Sequence, residues 1–125
     1  MIKTIQNPKY KVGGHYSQGR IVGEFLYTCG HIAYDCETSK LVNSDIKEET
    51  KTVLHNLNTL AEMAGSNLQQ AVKITSYLTD MKYFKGYDDA FKDFFPNDPP
   101  PRTTVQVGPL LRDVHVEIEA IIYLS

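Results

Sequence analysis

The sequence predicts an α+β domain in which two main helices cover one face of a mixed sheet of about six strands. Two periodicities carry this prediction. Between residues 46 and 64 apolar side chains recur every three or four residues, as on one face of a helix, whereas residues 71–78 and 114–122 alternate as half-buried strands do. The chain has 125 residues, the length of one domain, so we treat residues 1–125 as a single unit.

The composition restricts the class of protein. Apolar residues make up 42% of the chain, yet no apolar run approaches the roughly 20 residues of a transmembrane helix, so we expect no membrane partner. The N-terminus lacks the apolar stretch of a secretory signal, and we expect a cytoplasmic protein. Lys and Arg number 13 against 15 Asp and Glu, a net charge of -2 without a basic block, which argues against nucleic acid as a partner. In a reducing compartment Cys29 and Cys36 are expected to be free thiols.

A β-hairpin is predicted first. Two branched residues precede a turn at Gly23 and Glu24, and residues 25–32 are rich in aromatic and branched side chains. Alternation along the second strand would place three side chains in one mixed row, Tyr27, Cys29 and His31.

Two helices are predicted next. Asp45 and Glu48 are spaced as a capping box, and Gly65 supplies the stop. The apolar repeat of this first helix comprises Ile46, Val53, Leu57, Leu60 and Ala64. A second repeat, closed by Pro96, comprises Phe84, Tyr87, Phe91 and Phe94.

Two strands flank the second helix in the sequence. Residues 71–78 alternate Val72, Ile74, Ser76 and Leu78 against Lys73, Thr75 and Tyr77. The last strand alternates Val114, Val116, Ile118, Ala120 and Ile122 against His115, Glu117, Glu119 and Ile121. Each strand is therefore expected to bury one face.

The stretch "PPPRTTVQVGPL", residues 99–110, opens a further strand on Arg102. Alternation places Arg102, Thr104 and Gln106 on one side of that strand. The connection "GPLLRD" is short enough to bring it back antiparallel beside the last strand, where Arg102 would share a surface with Glu117 and Glu119. Such a polar sheet face predicts a subunit interface with polar pockets in a closed, symmetric oligomer.

Five stretches of the chain resemble the RidA/YjgF family of reactive intermediate deaminases. "PPRTTVQV" followed by "VEIEAI" is similar to the family's C-terminal signature. "GHYSQG", "LYTCGHI" and "LVNSDIKEETKTVLHNLNTLAEMAGSNLQQAVKITSYLTDM" follow the family's order, so the resemblance covers nearly the whole chain.

The resemblance implies a chorismate-mutase-like fold and a homotrimer whose sheets form a central barrel with the helices outside. It also implies clefts between subunits that bind a small imino or keto acid without metal or other cofactor. The implied substrates are 2-imino acids such as 2-iminopropionate, which form from enamines such as 2-aminoacrylate. Pyridoxal-phosphate-dependent dehydratases release these enamines and are the implied functional partners. The products are a 2-keto acid and ammonia.

Arg102 is the first candidate site residue, because the family's arginine at this position clamps the substrate carboxylate. A guanidinium stays charged at physiological pH and matches a carboxylate with two parallel hydrogen bonds. The prolines at 99–101 need no ladder partner and stiffen the approach to it. The residues alone leave a second interpretation open, an interface salt bridge from Arg102 to Glu119 or Glu117.

Glu119 and Tyr16 complete the expected catalytic set with Arg102. A partly desolvated carboxylate at Glu119 would orient or deprotonate the attacking water. Tyr16 matches a family tyrosine that encloses the ligand, although packing at an interface would also explain it.

Several positions depart from the family pattern. Cys29 stands where serine is common, His31 where glutamine is common, His15 where proline is common and Asp88 where asparagine is common. We expect Cys29, the backbone N–H groups near Gly30 and the hydroxyl of Thr104 to contact substrate. Asp88 is also included in the binding set, where it would repel an anionic ligand if close to it.

Other functions remain open from the sequence. Cys29, His31, His15 and His115 have zinc-ligand chemistry, but their spacing does not favour a site, and we predict no metal. A Cys29 nucleophile paired with His31 is disfavoured because side chains two apart on a strand seldom meet well. A non-catalytic trimer that senses small keto or amino acids is the main alternative function. Endoribonuclease or translation-inhibitor activity is less favoured because the chain lacks a basic groove.

Overall fold

The computed structural model describes residues 1–11 and 13–125. One sheet has six strands in the order β1-β2-β3-β8-β6-β7, and β4 pairs with β5 in a small separate hairpin. All neighbouring pairs are antiparallel except β6 and β7, which confirms a mixed sheet in an α+β domain. The elements are β1 (Lys3–Ile5), β2 (Gly19–Val22), β3 (Phe25–Thr28), β4 (Tyr34–Asp35), β5 (Lys40–Leu41), α1 (Ile46–Met63), β6 (Ala71–Leu78), α2 (Phe84–Phe94), β7 (Arg102–Gln106) and β8 (Val116–Tyr123).

Both predicted helices are confirmed. The side chain of Asp45 caps α1 by accepting a hydrogen bond from the Glu48 N–H at 2.8 Å. The helix ends before Gly65, whose φ of 87° lies in the left-handed region that favours glycine. The second helix ends two residues before Pro96. Neither helix is long and apolar enough to cross a membrane, as far as the described residues go.

The core lies between the helices and one face of the sheet. Strand β8, in the middle of the sheet, alternates buried and half-buried residues along its whole length, as predicted. Its buried side chains join those of both helices in a single apolar cluster. The opposite face of the sheet, here called the open face, is not covered by α1 or α2 and presents Glu117 and Glu119.

The predicted pairing of the Arg102 strand with the last strand is wrong. Strand β7 pairs parallel with β6, and β6 separates it from β8. The cause is the intervening helix, since a β6-α2-β7 crossover brings the second strand back parallel to the first. Arg102 lies beside Ile74, a core residue, so its side chain faces the helices and does not share a surface with Glu117 and Glu119.

A bulge overturns the predicted row of Tyr27, Cys29 and His31. Tyr27 lies opposite Ile121, but His31 lies opposite Ile118, so four steps along one strand match three along the other. One extra residue shifts all later side chains to the other face. His31 therefore points into the protein, where it is 1% exposed.

A second bulge corrects the prediction for the start of β6. The register with β8 is irregular between Ala71 and Lys73, so Val72 is exposed and Ala71 takes the buried position. The remainder of the predicted alternation on β6 holds.

Candidate functional site

Arg102 lies against the aromatic surface of α2. Its guanidinium carbon is 4.7 Å from the ring centroid of Phe91, 5.0 Å from that of Tyr87 and 5.5 Å from that of Phe84. A planar cation is attracted to such ring faces, which hold the guanidinium in one orientation. The helical spacing of these aromatic residues thus positions the arginine as well as building the core.

Asp88 is the anionic partner of Arg102. The Nη2 of Arg102 donates to the Oδ1 of Asp88 at 2.8 Å, and the Nζ of Lys92 lies 3.6 Å from the Oδ2 of Asp88. The side chains of Arg102 and Asp88 are 22% and 27% exposed, so water still reaches the pair. The predicted salt bridge from Arg102 to Glu119 or Glu117 does not form within the chain.

A cleft of about 420 Å³ opens beside this ion pair. Pro99 and Pro100 line it on the approach to β7, as the stiff proline run suggested. Thr104 faces the same side as Arg102, and its hydroxyl is 2.8 Å from that of Tyr87. The hydroxyl of Thr104 is therefore already in a hydrogen bond.

Two of the predicted site residues, Tyr16 and Gly30, lie with Glu117 on the open face. Glu117, Gly30 and Tyr16 line a cavity of about 160 Å³ together with Arg112. The hydroxyl of Tyr16 accepts a hydrogen bond from the Gly13 N–H at 3.2 Å. Gly30 has no side chain where the Glu117 carboxylate lies, since a Cβ built there would overlap it. A glycine at position 30 thus makes room for this carboxylate.

The two glutamates of the open face have different surroundings. Burial raises the pKa of Glu117, and the nearby charge of Glu119 raises it further. Glu119 accepts a hydrogen bond at 2.9 Å from the hydroxyl of Tyr77. Glu119, the predicted water-activating residue, is thus bound to a phenol, whereas Glu117 lines the cavity with Tyr16 and Gly30.

Cys29 and His31 lie closer together than the strand argument predicted, because the bulge turns their side chains toward each other. The thiol Sγ is 3.7 Å from the imidazole Nδ1. Burial, and next the charge of Glu117, raises the pKa of Cys29 to about 11, while burial lowers the pKa of His31 to about 4. Both groups are neutral at physiological pH, so the pair does not supply the thiolate that a nucleophilic cysteine needs.

Cys29 and His31 are in contact, but two of the histidines considered as metal ligands have other partners in the protein. His31 is stacked on Tyr10 with ring centroids 4.7 Å apart. The Nδ1 of His115 is 2.8 Å from the Oε1 of Glu49, a buried carboxylate of α1. Over residues 1–11 and 13–125, no three His, Cys, Asp or Glu side chains are grouped as metal ligands.

The structure places the predicted site residues in two separate groups. Arg102, Asp88 and Thr104 lie on the helix side of the sheet beside the edge strand β7, whereas Tyr16, Gly30 and Glu119 lie on the open face, where Glu117 joins them. Sequence reasoning missed the role of Glu117 in the cavity. Strand alternation placed Glu117 beside Glu119 on the polar side of β8. It could not show which of the two carboxylates lines the cavity, because that depends on their neighbours in the fold.

Family comparison identifies the chain. The family model described as Endoribonuclease L-PSP, which is that of the RidA/YjgF family, matches residues 5–124. The chain belongs to this family. The resemblance seen in the sequence is thus confirmed.

Three similar proteins illustrate the range of the family. A RutC family protein of Pyrococcus abyssi is 41% identical over 110 residues, covering 88% of this chain and 87% of that protein. A human protein named 2-iminobutanoate/2-iminopropanoate deaminase is 32% identical over 108 residues, covering 86% of this chain and 79% of its own. The crystal structure of RidA from the Antarctic bacterium Psychrobacter sp. superposes with a TM-score of 0.91 at 34% identity, covering 97% and 98% of the two chains.

Proposed function

We propose that this protein hydrolyses reactive 2-imino acids, such as 2-iminopropionate, to 2-keto acids and ammonia. The observation that carries the proposal is Arg102, a guanidinium held by three aromatic rings beside an open cleft. Membership of a family with relatives named imine deaminases supports it. Enamines such as 2-aminoacrylate, released by pyridoxal-phosphate-dependent dehydratases, would supply these imines.

Arg102 binds the substrate carboxylate in this proposal. A guanidinium has five N–H donors, and among residues 1–11 and 13–125 only one side-chain contact, to Asp88, engages them. The remaining donors suffice for two parallel hydrogen bonds to a carboxylate. Since the aromatic rings already hold the side chain, little conformational entropy is lost when the substrate binds.

Glu117 activates the attacking water in preference to Glu119. A carboxyl group whose pKa is raised is a stronger base when ionised, and Glu117 lines the same cavity as Tyr16 and Gly30. Glu119 contributes its charge, which helps to raise the pKa of Glu117, and its own oxygen is bound by Tyr77. Tyr16 closes the side of the cavity.

A second copy of the chain completes the site, in a homotrimer with a central barrel. Arg102 and Glu117 lie on opposite sides of one sheet, so one chain does not bring both to the same substrate. Strand β7 is the sheet edge, and the open face exposes apolar side chains, with Tyr27 at 44% and Val105 at 40%. Contact between the edge region of one copy and the open face of the next buries this surface and joins the two groups.

Hydrolysis of a 2-imino acid requires few catalytic groups. Water adds to the imine carbon while Glu117 takes its proton, and the C=N electron pair moves onto nitrogen. Glu117 then returns this proton to the nitrogen of the carbinolamine, whose C–N bond breaks as the hydroxyl loses its proton and the C=O bond forms, so that nitrogen leaves as ammonia. Because such imines already hydrolyse in water, positioning and one proton transfer are enough.

The test generates imines in place with an amino-acid oxidase or a serine dehydratase and follows their capture by semicarbazide. Wild-type protein is expected to suppress semicarbazone formation, and Arg102→Ala to have no effect. Arg102→Lys is the matched variant, since it keeps the charge without the planar fork and should recover only part of the activity.

Absence of suppression by the wild type across a panel of amino acids would reject the deaminase proposal. Binding of a keto acid without turnover would then favour the regulatory alternative.

A further inference from the structure

We propose that Asp88 binds the protonated nitrogen of the substrate, so that the Arg102–Asp88 pair recognises a 2-iminium carboxylate as a zwitterion. This inference rests on the proposed function and names the ionic form of the substrate. It also makes Asp88 the residue that gives the site a higher affinity for the substrate than for the product.

The geometry places opposite charges side by side. The Asp88 Oδ1 accepts from the Arg102 Nη2 at 2.8 Å, and both side chains lie at the cleft. Lys92 is 3.6 Å from the second carboxylate oxygen, but it is 72% exposed, so water screens its charge. Asp88 therefore keeps negative charge available beside the guanidinium.

The substrate carries the complementary charges on adjacent atoms. In a 2-imino acid the carboxylate carbon is bonded directly to the imine carbon, and the imine nitrogen is protonated in the reactive form. The ligand carboxylate binds the remaining donors of Arg102, while the iminium N–H donates to Asp88. The Asp88 carboxylate would repel a ligand that is only anionic. It attracts this ligand, because the cationic iminium end lies next to it.

The product lacks that cationic end. A 2-keto acid has a carbonyl oxygen where the iminium nitrogen stood, and this oxygen has no proton to donate to a carboxylate. Two acceptors then face each other, which weakens product binding. Asp88 therefore favours release of the keto acid.

The same contact assists the chemical step. A carboxylate beside the imine nitrogen stabilises the iminium form, in which the carbon is more electrophilic toward water. The overall reaction is balanced without an oxidant or reductant, since a zwitterionic iminium carboxylate and water give a keto-acid anion and ammonium.

The test measures the affinities of two stable probes, L-alanine and pyruvate, by calorimetry on the assembled wild type, Asp88→Asn and Asp89→Asn. Alanine presents a carboxylate with an adjacent ammonium, and pyruvate presents the same carbon skeleton with a carbonyl oxygen. Asp89, which pairs with Lys85 at 3.0 Å, is the matched control for loss of one charge from α2.

The wild type is expected to bind alanine more tightly than pyruvate. Asp88→Asn should lower the ratio of alanine to pyruvate affinity by about tenfold, because a charge-assisted hydrogen bond is lost, and Asp89→Asn should leave the ratio unchanged. An unchanged ratio in Asp88→Asn, or no alanine binding by the wild type, would overturn the inference.

The imine capture assay, run on the same samples, separates the two proposals. Hydrolysis with an unchanged affinity ratio rejects only the role of Asp88. The expected ratio change without hydrolysis rejects the deaminase function and leaves zwitterion binding in place.

Discussion

Glu117 shows how two residues of the same type on one strand acquire different chemistry. Its carboxylate fills the space left by the missing side chain of Gly30, and burial raises its pKa. Glu119, two residues on, is bound by the Tyr77 hydroxyl. The sequence alone predicted that carboxylates face the polar side of this strand, but alternation cannot distinguish one from the other.

The pH dependence of hydrolysis should report this environment. A base works when ionised, so kcat/KM is expected to fall as the pH decreases through the pKa of Glu117, which lies above the usual glutamate range. Glu119→Gln removes the neighbouring charge and should move this acid limb to lower pH. The pH–rate profiles of the wild type and of Glu119→Gln measure this shift. Glu62→Gln, at an exposed position of α1, is the control. An acid limb unmoved by Glu119→Gln would contradict the coupling.

His31 should make stability depend on pH. Burial lowers its pKa from 6.5 to about 4, so the folded state resists a proton that the unfolded state accepts. The free energy of unfolding should therefore fall as the pH decreases below about 6.5, by up to about 3 kcal/mol when the folded-state pKa is reached.

His31→Gln is the matched variant because glutamine keeps a polar side chain that does not titrate. Urea unfolding of both proteins from neutral pH to about pH 4 isolates the contribution of His31 as the difference between the two curves. A constant difference across this range would show that His31 protonates equally in both states.

At the scale of elements, the spacing of apolar and polar residues predicted those helices and strands whose formation depends on nearby residues. The capped helix α1, the aromatic repeat of α2 and the alternation of β8 follow from spacing alone. The partner of β7 did not follow, because pairing is determined by the crossover through α2 and not by the short connection from β7 to β8. The bulges near Cys29 and Val72 were also missed, since one extra residue leaves no mark in composition.

The close approach of the bulged segment to β8 gives a prediction at the same scale. In Gly30→Ala the new methyl group displaces the Glu117 carboxylate, which is the mobile end of a side chain and moves at little cost in stability. Hydrolysis should fall roughly a hundredfold from this misplacement, with the free energy of unfolding changed by less than about 1 kcal/mol.

Gly108→Ala is the control for this substitution, because a Cβ there meets open space. Both variants are compared with the wild type in the capture assay and in urea unfolding. Full activity of Gly30→Ala would mean that the position of the Glu117 carboxylate is unimportant.

At the scale of the whole molecule, the fold keeps the two groups of candidate site residues apart within one chain. The helix side of the sheet edge holds the Arg102 group and the open face holds the Glu117 group. Sequence resemblance predicted candidate site residues and a cleft between subunits, and these stay predictions. It did not show that Arg102 faces the helices, because strand alternation assigns sides only relative to neighbours whose pairing is known.

Shared clefts predict that two inactive variants restore each other. Arg102→Ala retains Glu117, and Glu117→Gln retains Arg102, so a cleft formed with Arg102 from one chain and Glu117 from the other is intact. In a ring of three, every mixed trimer contains one such cleft, and random mixing of equal amounts should recover about one quarter of wild-type activity. Coexpression followed by the capture assay measures it, with sedimentation confirming a mass of three 14.1 kDa chains. If each chain instead carried a complete site, the mixture would be as inactive as its components, because no chain in it has both residues.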